Sequence, residues 1–288
     1  MSPQLVWLIT GTTSGLGRHL AQEVLRRGDK VIATGRARSI AKLDELKNEG
    51  ADTLELDVTW PLEKLQETAK EAVSIHGRID VVVNNAGYVQ IGVVEETTPK
   101  ETLKQFNTNV FGALNVSRAF LPYMREKKTG TIIFLGSLAV ICGLPYAGLY
   151  AASKWALRGI SSSLHAEISP LGLRSVCVEL GYFRTALLDG DQRTPAISRI
   201  SDYKELSEKA ETGFGAANGK QPGDPLKGVK VFVDLVKGEN GTAGKPFPPS
   251  LALGSDCYKT CKETSEGYLE LLDGWKEVSV STDFAEKN

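Results

Sequence analysis

Thr10-Gly11-Thr12-Thr13-Ser14-Gly15-Leu16-Gly17 decides the fold. It stands between an apolar run, Leu5-Val6-Trp7-Leu8-Ile9, and apolar residues at helical spacing, Leu16, Leu20, Ala21, Val24 and Leu25. A strand, a glycine loop and a helix in that order aim unpaired N–H groups and the positive end of the helix dipole at an anion. Glycines let the backbone approach phosphates closely. The stretch therefore reads as a dinucleotide pyrophosphate site, with Gly11, Thr13, Ser14, Gly15, Leu16 and Gly17 as candidate binding residues. Its spacing is G-x-x-x-G-x-G, not the common G-x-G-x-x-G.

The rhythm continues outward. Val31–Thr34, Thr53–Leu56, Ile79–Val83, Thr131–Leu135 and Ser175–Val178 are short apolar runs, with helical patterns between them. Near-continuous apolar strands suit burial on both faces. Thr98-Pro99 caps one long helix running to about Lys127, and another covers about Tyr150–Ile168. Strands alternating with helices mean an α/β fold with a doubly wound parallel sheet. The chain is expected to form a single domain, 1–288. A Gly-, Pro- and charge-rich segment (182–224) breaks the rhythm and reads as a substrate lid. A C-terminal helical extension spans 255–288.

A net charge of −1 gives no electrostatic case for nucleic acid or an anionic membrane. No apolar run reaches the roughly 20 residues of a membrane span, and the first strand starts too early for a signal peptide, so a cytoplasmic protein is expected. Four cysteines do not make a disulfide scaffold at this length. Cys257 and Cys261 share a helix face, but further metal ligands at zinc spacing are missing, so no metal is expected.

Tyr150-Ala-Ala-Ser-Lys154 sets a phenol and an ammonium on one helix face. A cation beside a phenol lowers its pKa. Ser137 follows the fifth strand at its carboxyl end, where open α/β sheets bind ligands. Asn109 lies inside a helix, where asparagine is a poor helix former. Asn84-Asn85-Ala86-Gly87 follows the fourth strand and suits close approach of a ligand to backbone. Each feature alone also fits a plain surface pair, turn or solvated side chain.

Together they are specific. Thr10-Gly11-x-x-x-Gly15-x-Gly17, Asn84-Asn85-Ala86-Gly87, Asn109, Ser137, Tyr150-x-x-x-Lys154 and Gly181-Tyr182-Phe183-Arg184-Thr185 resemble the compact branch of the short-chain dehydrogenase/reductase family over about residues 5–190. The resemblance implies a Rossmann-type fold and hydride transfer between a nicotinamide and a carbonyl or alcohol. It implies Tyr150 as acid or base, Lys154 as the residue that lowers its pKa and holds the ribose, Ser137 as the carbonyl-orienting group, and Asn109 as the holder of a relay water. Asn85, Ala86, Gly87, Phe183 and Thr185 would flank the cofactor. Asp57 would meet the adenine, with Val58 beside it. Other chemistry on the scaffold (imine reduction or isomerisation) and a non-catalytic NADPH sensor are the alternatives.

Selectivity is read where the second strand ends. Gly35 takes the place of the usual acidic residue, and Arg36 and Arg38 follow. Arginine suits a 2′-phosphate, which favours NADP(H) over NAD(H). Leu180 stands where the family often has proline, which puts the rigidity of that loop in question. The pocket candidates Val140, Cys142, Leu144, Tyr146, Tyr182, Phe183 and Leu187 are mainly apolar or aromatic, which favours a lipophilic small-molecule carbonyl or alcohol as substrate. Family members often form homodimers or homotetramers through the two long helices. Here Phe111, Phe120, Trp155 and Leu164 are candidates for that interface or for the core.

Overall fold

The computed structural model describes residues 3–186, 193–194 and 198–284. Strand β1 (Val6–Ile9) enters the glycine loop and leaves it as helix α1 (Gly15–Arg26). Then come β2 (Lys30–Gly35), a 3-10 turn, α2 (Asp44–Asn48), β3 (Asp52–Glu55), α3 (Leu62–His76), β4 (Val81–Asn84) and the two-residue strand β5 (Val89–Gln90). Next follow α4 (Pro99–Phe106), α5 (Ala113–Lys127), β6 (Gly130–Leu135), α6 (Gly148–Ile168) and β7 (Leu173–Leu180). Strand β8 (Arg193–Thr194), α7 (Lys204–Ala217), α8 (Pro225–Lys237), β9 (Ser250–Leu253), α9 (Ser255–Gly274) and α10 (Lys276–Val280) complete the chain.

The main sheet has the order β3-β2-β1-β4-β6-β7-β9, all parallel. Strand order reverses between β1 and β4, so the loops after these two strands diverge and open a crevice at their carboxyl ends. Successive residues of β1 serve opposite faces. Trp7 joins the core shared with Leu20, Val24 and Phe232 of α1 and α8. Leu8 joins the core shared with Leu65, Phe120 and Leu157 of α3, α5 and α6. A buried polar knot ties the first side: Asp29 accepts from the Trp7 indole N–H at 3.1 Å and pairs with Lys237 at 2.9 Å.

The long helix expected from Thr98 to Lys127 is interrupted. A π-helical segment, Asn107–Gly112, separates α4 from α5. The extra residue brings Asn109 inward to 1% exposure instead of out to solvent, and π-segments of this kind concentrate at functional sites. Thr98 does start the helix, with a complete capping box to Glu101. The C-terminal helix turns slightly at Trp275 and carries on to Val280. The pairing of β5 with β8 had no counterpart in the sequence pattern. Of the expected lid, the described part carries α7, whose Ala210 and Phe214 pack on a small apolar cluster that includes Tyr146 and Tyr150. Glu96 pins the entry to α7, accepting from the Arg199 and Ile200 N–H groups at 2.6 and 2.7 Å.

Candidate active site

The crevice is a cleft of about 440 Å³. Its floor is the glycine loop. Gly11 and Gly15 both hold positive φ, 70° and 58°, which glycine adopts without a Cβ penalty. A Cβ on Gly11 would sit 3.0 Å from the Ala86 Cα, so the loop lies directly against the exit of β4. Asn85 closes that junction, its Nδ2 donating to the Thr10 and Gly11 carbonyls at 2.7 and 2.9 Å. The buried Thr10 hydroxyl accepts from the Asn85 and Ala86 N–H groups and donates to the Val83 carbonyl. The first threonine of the motif is thus the rivet between β1 and β4. Gly17 does not line the cleft. It packs behind the loop, where a Cβ would lie 2.6 Å from the Gly11 carbonyl oxygen.

The floor fits a dinucleotide diphosphate. Ser14 caps α1 with extended backbone and makes no side-chain cap bond, and no acidic residue occupies the first turn. The first N–H groups of α1 therefore remain available to an anion. Thr13, Ser14, Gly15 and Leu16 line the cleft above them, and the Thr185 Cβ lies 4.0 Å from where a Gly15 side chain would begin. At one rim Gly35 ends β2, and Arg36, Arg38 and Ser39 follow along the wall. Among the described residues neither arginine forms an ion pair. Asp57, Val58, Ala86 and Gly87 line the adjoining wall, with Asp57 folded into a turn by accepting from Thr59 at 2.7 and 2.9 Å.

At the other end stand Tyr150 and Lys154, one turn apart on α6. Ser137 caps the turn after β6 and hydrogen-bonds the Tyr150 hydroxyl. The Lys154 ammonium donates to the Leu135 carbonyl at 2.6 Å and lies 5.7 Å from the Tyr150 ring centroid. Asn109 sits behind this group and uses its whole amide on protein: Nδ2 donates to the Tyr88 carbonyl and the Ser153 hydroxyl, and Oδ1 accepts from the Tyr88 N–H. Its side chain clamps the strand that leaves Gly87, so a relay water held here would need the backbone carbonyls that the π-segment rearranges.

Burial pushes the Tyr150 phenol up to about 12, with the Ser137 hydrogen bond opposing, and burial pushes the Lys154 ammonium down to about 8. Desolvation is the largest influence on both groups. The Lys154 shift predicts a pH-dependent stability. Between about 8 and 10.5 the unfolded chain holds a proton that the folded chain has lost, so stability rises with pH across that window, by up to about 3 kcal/mol. Against a Lys154→Met variant, which lacks the group, the wild-type melting temperature should therefore gain about 5 °C between pH 7 and pH 10. A difference that stays flat with pH would contradict the burial argument.

Phe183 also departs from its expected place. Its ring packs against the start of α8, where Gly228 of the helix and Gly223 just before it leave room. The loop at Leu180-Gly181 is pinned by Asp256 rather than by proline. Asp256, from the start of α9, accepts from the Tyr182 N–H at 2.7 Å, and any Cβ on Gly181 would collide with its carboxylate. The apolar wall beside Tyr150 consists of Val89, Ile91 and Tyr146, with Val93, Ala210 and Phe214 around them. Tyr146 holds a φ of 68°, strained for an aromatic residue. Its hydroxyl donates to Glu211 at 3.2 Å, and its ring meets Phe214. Cys142 is a partly buried thiol on the Leu138 carbonyl. Leu187 lies outside the described residues. The lining residues Tyr88, Lys104 and Thr108 escaped the sequence analysis. Their one signal was the placing of Lys104 and Thr108 a turn apart on the helix that carries Asn109.

Among the described residues no group of side chains could hold a metal, and no helix is long and apolar enough to cross a membrane. Cys257 and Cys261 are free thiols with sulfurs 3.9 Å apart.

Comparison with known proteins agrees with this architecture. Residues 5–195 match the family model of short chain dehydrogenases. A 3-ketodihydrosphingosine reductase of Bacteroides thetaiotaomicron is 36% identical over 207 residues, 71% of this chain and 73% of that one. A short-chain dehydrogenase from Streptomyces avermitilis superposes with a TM-score of 0.87 at 33% identity, covering 98% of this chain and all of that one. An actinorhodin polyketide ketoreductase variant solved with NADPH superposes with a TM-score of 0.72 at 25% identity, covering 88% of this chain and 97% of that one. The chain belongs to the short-chain dehydrogenase family, and is a nicotinamide-dependent oxidoreductase acting on a carbonyl or hydroxyl group.

Proposed function

We propose that the protein reduces a ketone or aldehyde of a lipophilic small molecule with NADPH. The observation that carries the reading is the layout of one cleft. A glycine floor and two arginines that pair with no carboxylate among the described residues occupy one part, and Tyr150, Ser137 and Lys154 converge at the other. The bound nicotinamide would supply the hydride to the carbonyl carbon. Ser137 orients the carbonyl oxygen by hydrogen bonding, and Tyr150 donates its proton to that oxygen as the bond to carbon forms. A phenol held near 12 by burial keeps its proton at neutral pH, which suits the reductive direction. Lys154 would meet the ribose hydroxyls, and the Asn109 segment would carry the water through which the proton is replaced. Arg36 and Arg38 would grip the 2′-phosphate, and Asp57 and Val58 would flank the adenine.

The lipophilic substrate rests on the apolar wall beside Tyr150 and on the name of the Bacteroides relative, a reductase of a keto sphingoid. The test is NADPH oxidation across aliphatic, aromatic, steroid-like and polyketide-like ketones. Turnover of at least one class with net NADPH consumption supports the proposal. Tight NADPH binding with no turnover across the panel would favour a sensor instead.

A further inference from the structure

The C-terminal helix carries an apolar stripe that only half finds a partner. Cys257, Cys261, Thr264, Tyr268, Leu272 and Trp275 recur at intervals of three and four residues, which places them along one line of α9. At the root of the helix the line packs on the domain: Cys257 is fully buried against the Glu179 carbonyl. Asp256 fastens this root to the Gly181-Tyr182 loop. From residue 265 to residue 284 every residue is exposed, and the same line runs on bare, with Tyr268 at 59% and Trp275 at 59% exposure. Leu271 and Val278 lie beside it, equally bare. The helical bond from the Trp275 N–H to the Leu271 carbonyl carries the arm on through the turn at Trp275.

We propose that this arm is covered by a second copy of the chain, through an interface built on the Tyr268–Trp275 stripe. Area favours that occupant. The bare side chains of the stripe amount to on the order of 500 Å² per chain, so two copies sharing a two-fold would bury about 1,000 Å², the floor that a biological interface must reach. The same patch is at the upper end of what a soluble monomer exposes. The intervals of three and four are those of a helix–helix seam. Charge argues against a lipid surface. Residues 264–284 carry five carboxylates, Glu266, Glu270, Asp273, Glu277 and Asp283, against the single Lys276. Helices that lie on membranes carry lysine and arginine there instead. The first four carboxylates fall on the face opposite the stripe, so they point away from a docked partner and do not repel across the seam.

The test is the mass of the full chain in solution, by light scattering after gel filtration. A Tyr268→Ser, Leu272→Ser, Trp275→Ser variant changes only exposed side chains and should bind NADPH as the wild type does. Its mass should be half that of the wild type, one association step lower. A Glu266→Gln, Glu270→Gln variant, altered on the opposite face, should keep the wild-type mass. Equal masses for wild type and the triple serine variant would overturn the proposal. So would stripe-dependent pelleting of the wild type with phosphatidylcholine vesicles while its mass in solution matches the variant.

Discussion

Phenylalanine at position 150 should lower the turnover of carbonyl reduction by about 10³-fold, roughly 4 kcal/mol of transition-state stabilisation, while NADPH affinity moves only a few-fold. The substitution removes one oxygen and keeps the ring that packs with Tyr146 and Val89. It deletes the phenolic proton that stands beside Ser137 and that burial holds in place at neutral pH. Ser137→Ala should cost less, about 10²-fold, because the phenol remains and the carbonyl loses only one of two hydrogen bonds. The two losses should not add. Ser137 and Tyr150 hydrogen-bond each other and act on the same oxygen, so the double variant should fall close to Tyr150→Phe alone. Single-turnover rates with NADPH prebound separate this from binding. A Tyr150→Phe chain that turns over within tenfold of wild type would remove the phenol from the chemistry.

How far these residues could be read beforehand varies with the range of the physics involved. The sheet was legible because its central strands are buried on both faces and therefore read as unbroken apolar runs, as in Val81-Val82-Val83. The glycine loop was legible because positive φ and close backbone approach at Gly11 and Gly15 demand one residue type. Other features depend on distant contacts. Gly181 is held by Asp256, seventy-odd residues further on, so nothing in the local pattern told what would pin the loop without proline. The π-segment at Asn107–Gly112 leaves the helical periodicity nearly intact, and only the poor helix former Asn109 hinted at it. The apolar residues named for an interface divide in the structure. Phe120 is core, whereas Phe111 and Trp155 are half exposed. An amphipathic stripe looks the same whether it meets its own domain or another, which is why α9 read as an ordinary extension. The upward push on the Tyr150 phenol was hidden for a related reason, since a neighbouring charge is visible in a sequence and desolvation is not.

Arg36→Glu should weaken NADPH binding by about 10²-fold, near 2.7 kcal/mol, and leave NADH within about threefold of its wild-type value. The asymmetry follows from what the rim holds. Arg36 and Arg38 line the cleft with no carboxylate paired to either among the described residues, so their positive charge is uncompensated. A 2′-phosphate there gains charge-assisted, bidentate hydrogen bonds. A glutamate removes one such partner and adds repulsion, whereas the 2′-hydroxyl of NADH meets a carboxylate it can donate to. The more obvious exchange, an aspartate at Gly35, should work poorly. A Cβ at that position would lie 2.8 Å from the Thr13 methyl group, so the Thr13 side chain on the glycine loop would have to shift to admit it. Gly35→Asp should therefore weaken both nucleotides, while Arg36→Glu discriminates between them. Titration of each variant with NADPH and NADH, read by nucleotide fluorescence, distinguishes the two cases. Equal losses for both nucleotides in Arg36→Glu would place the arginine in the structure of the rim and not in recognition of the phosphate.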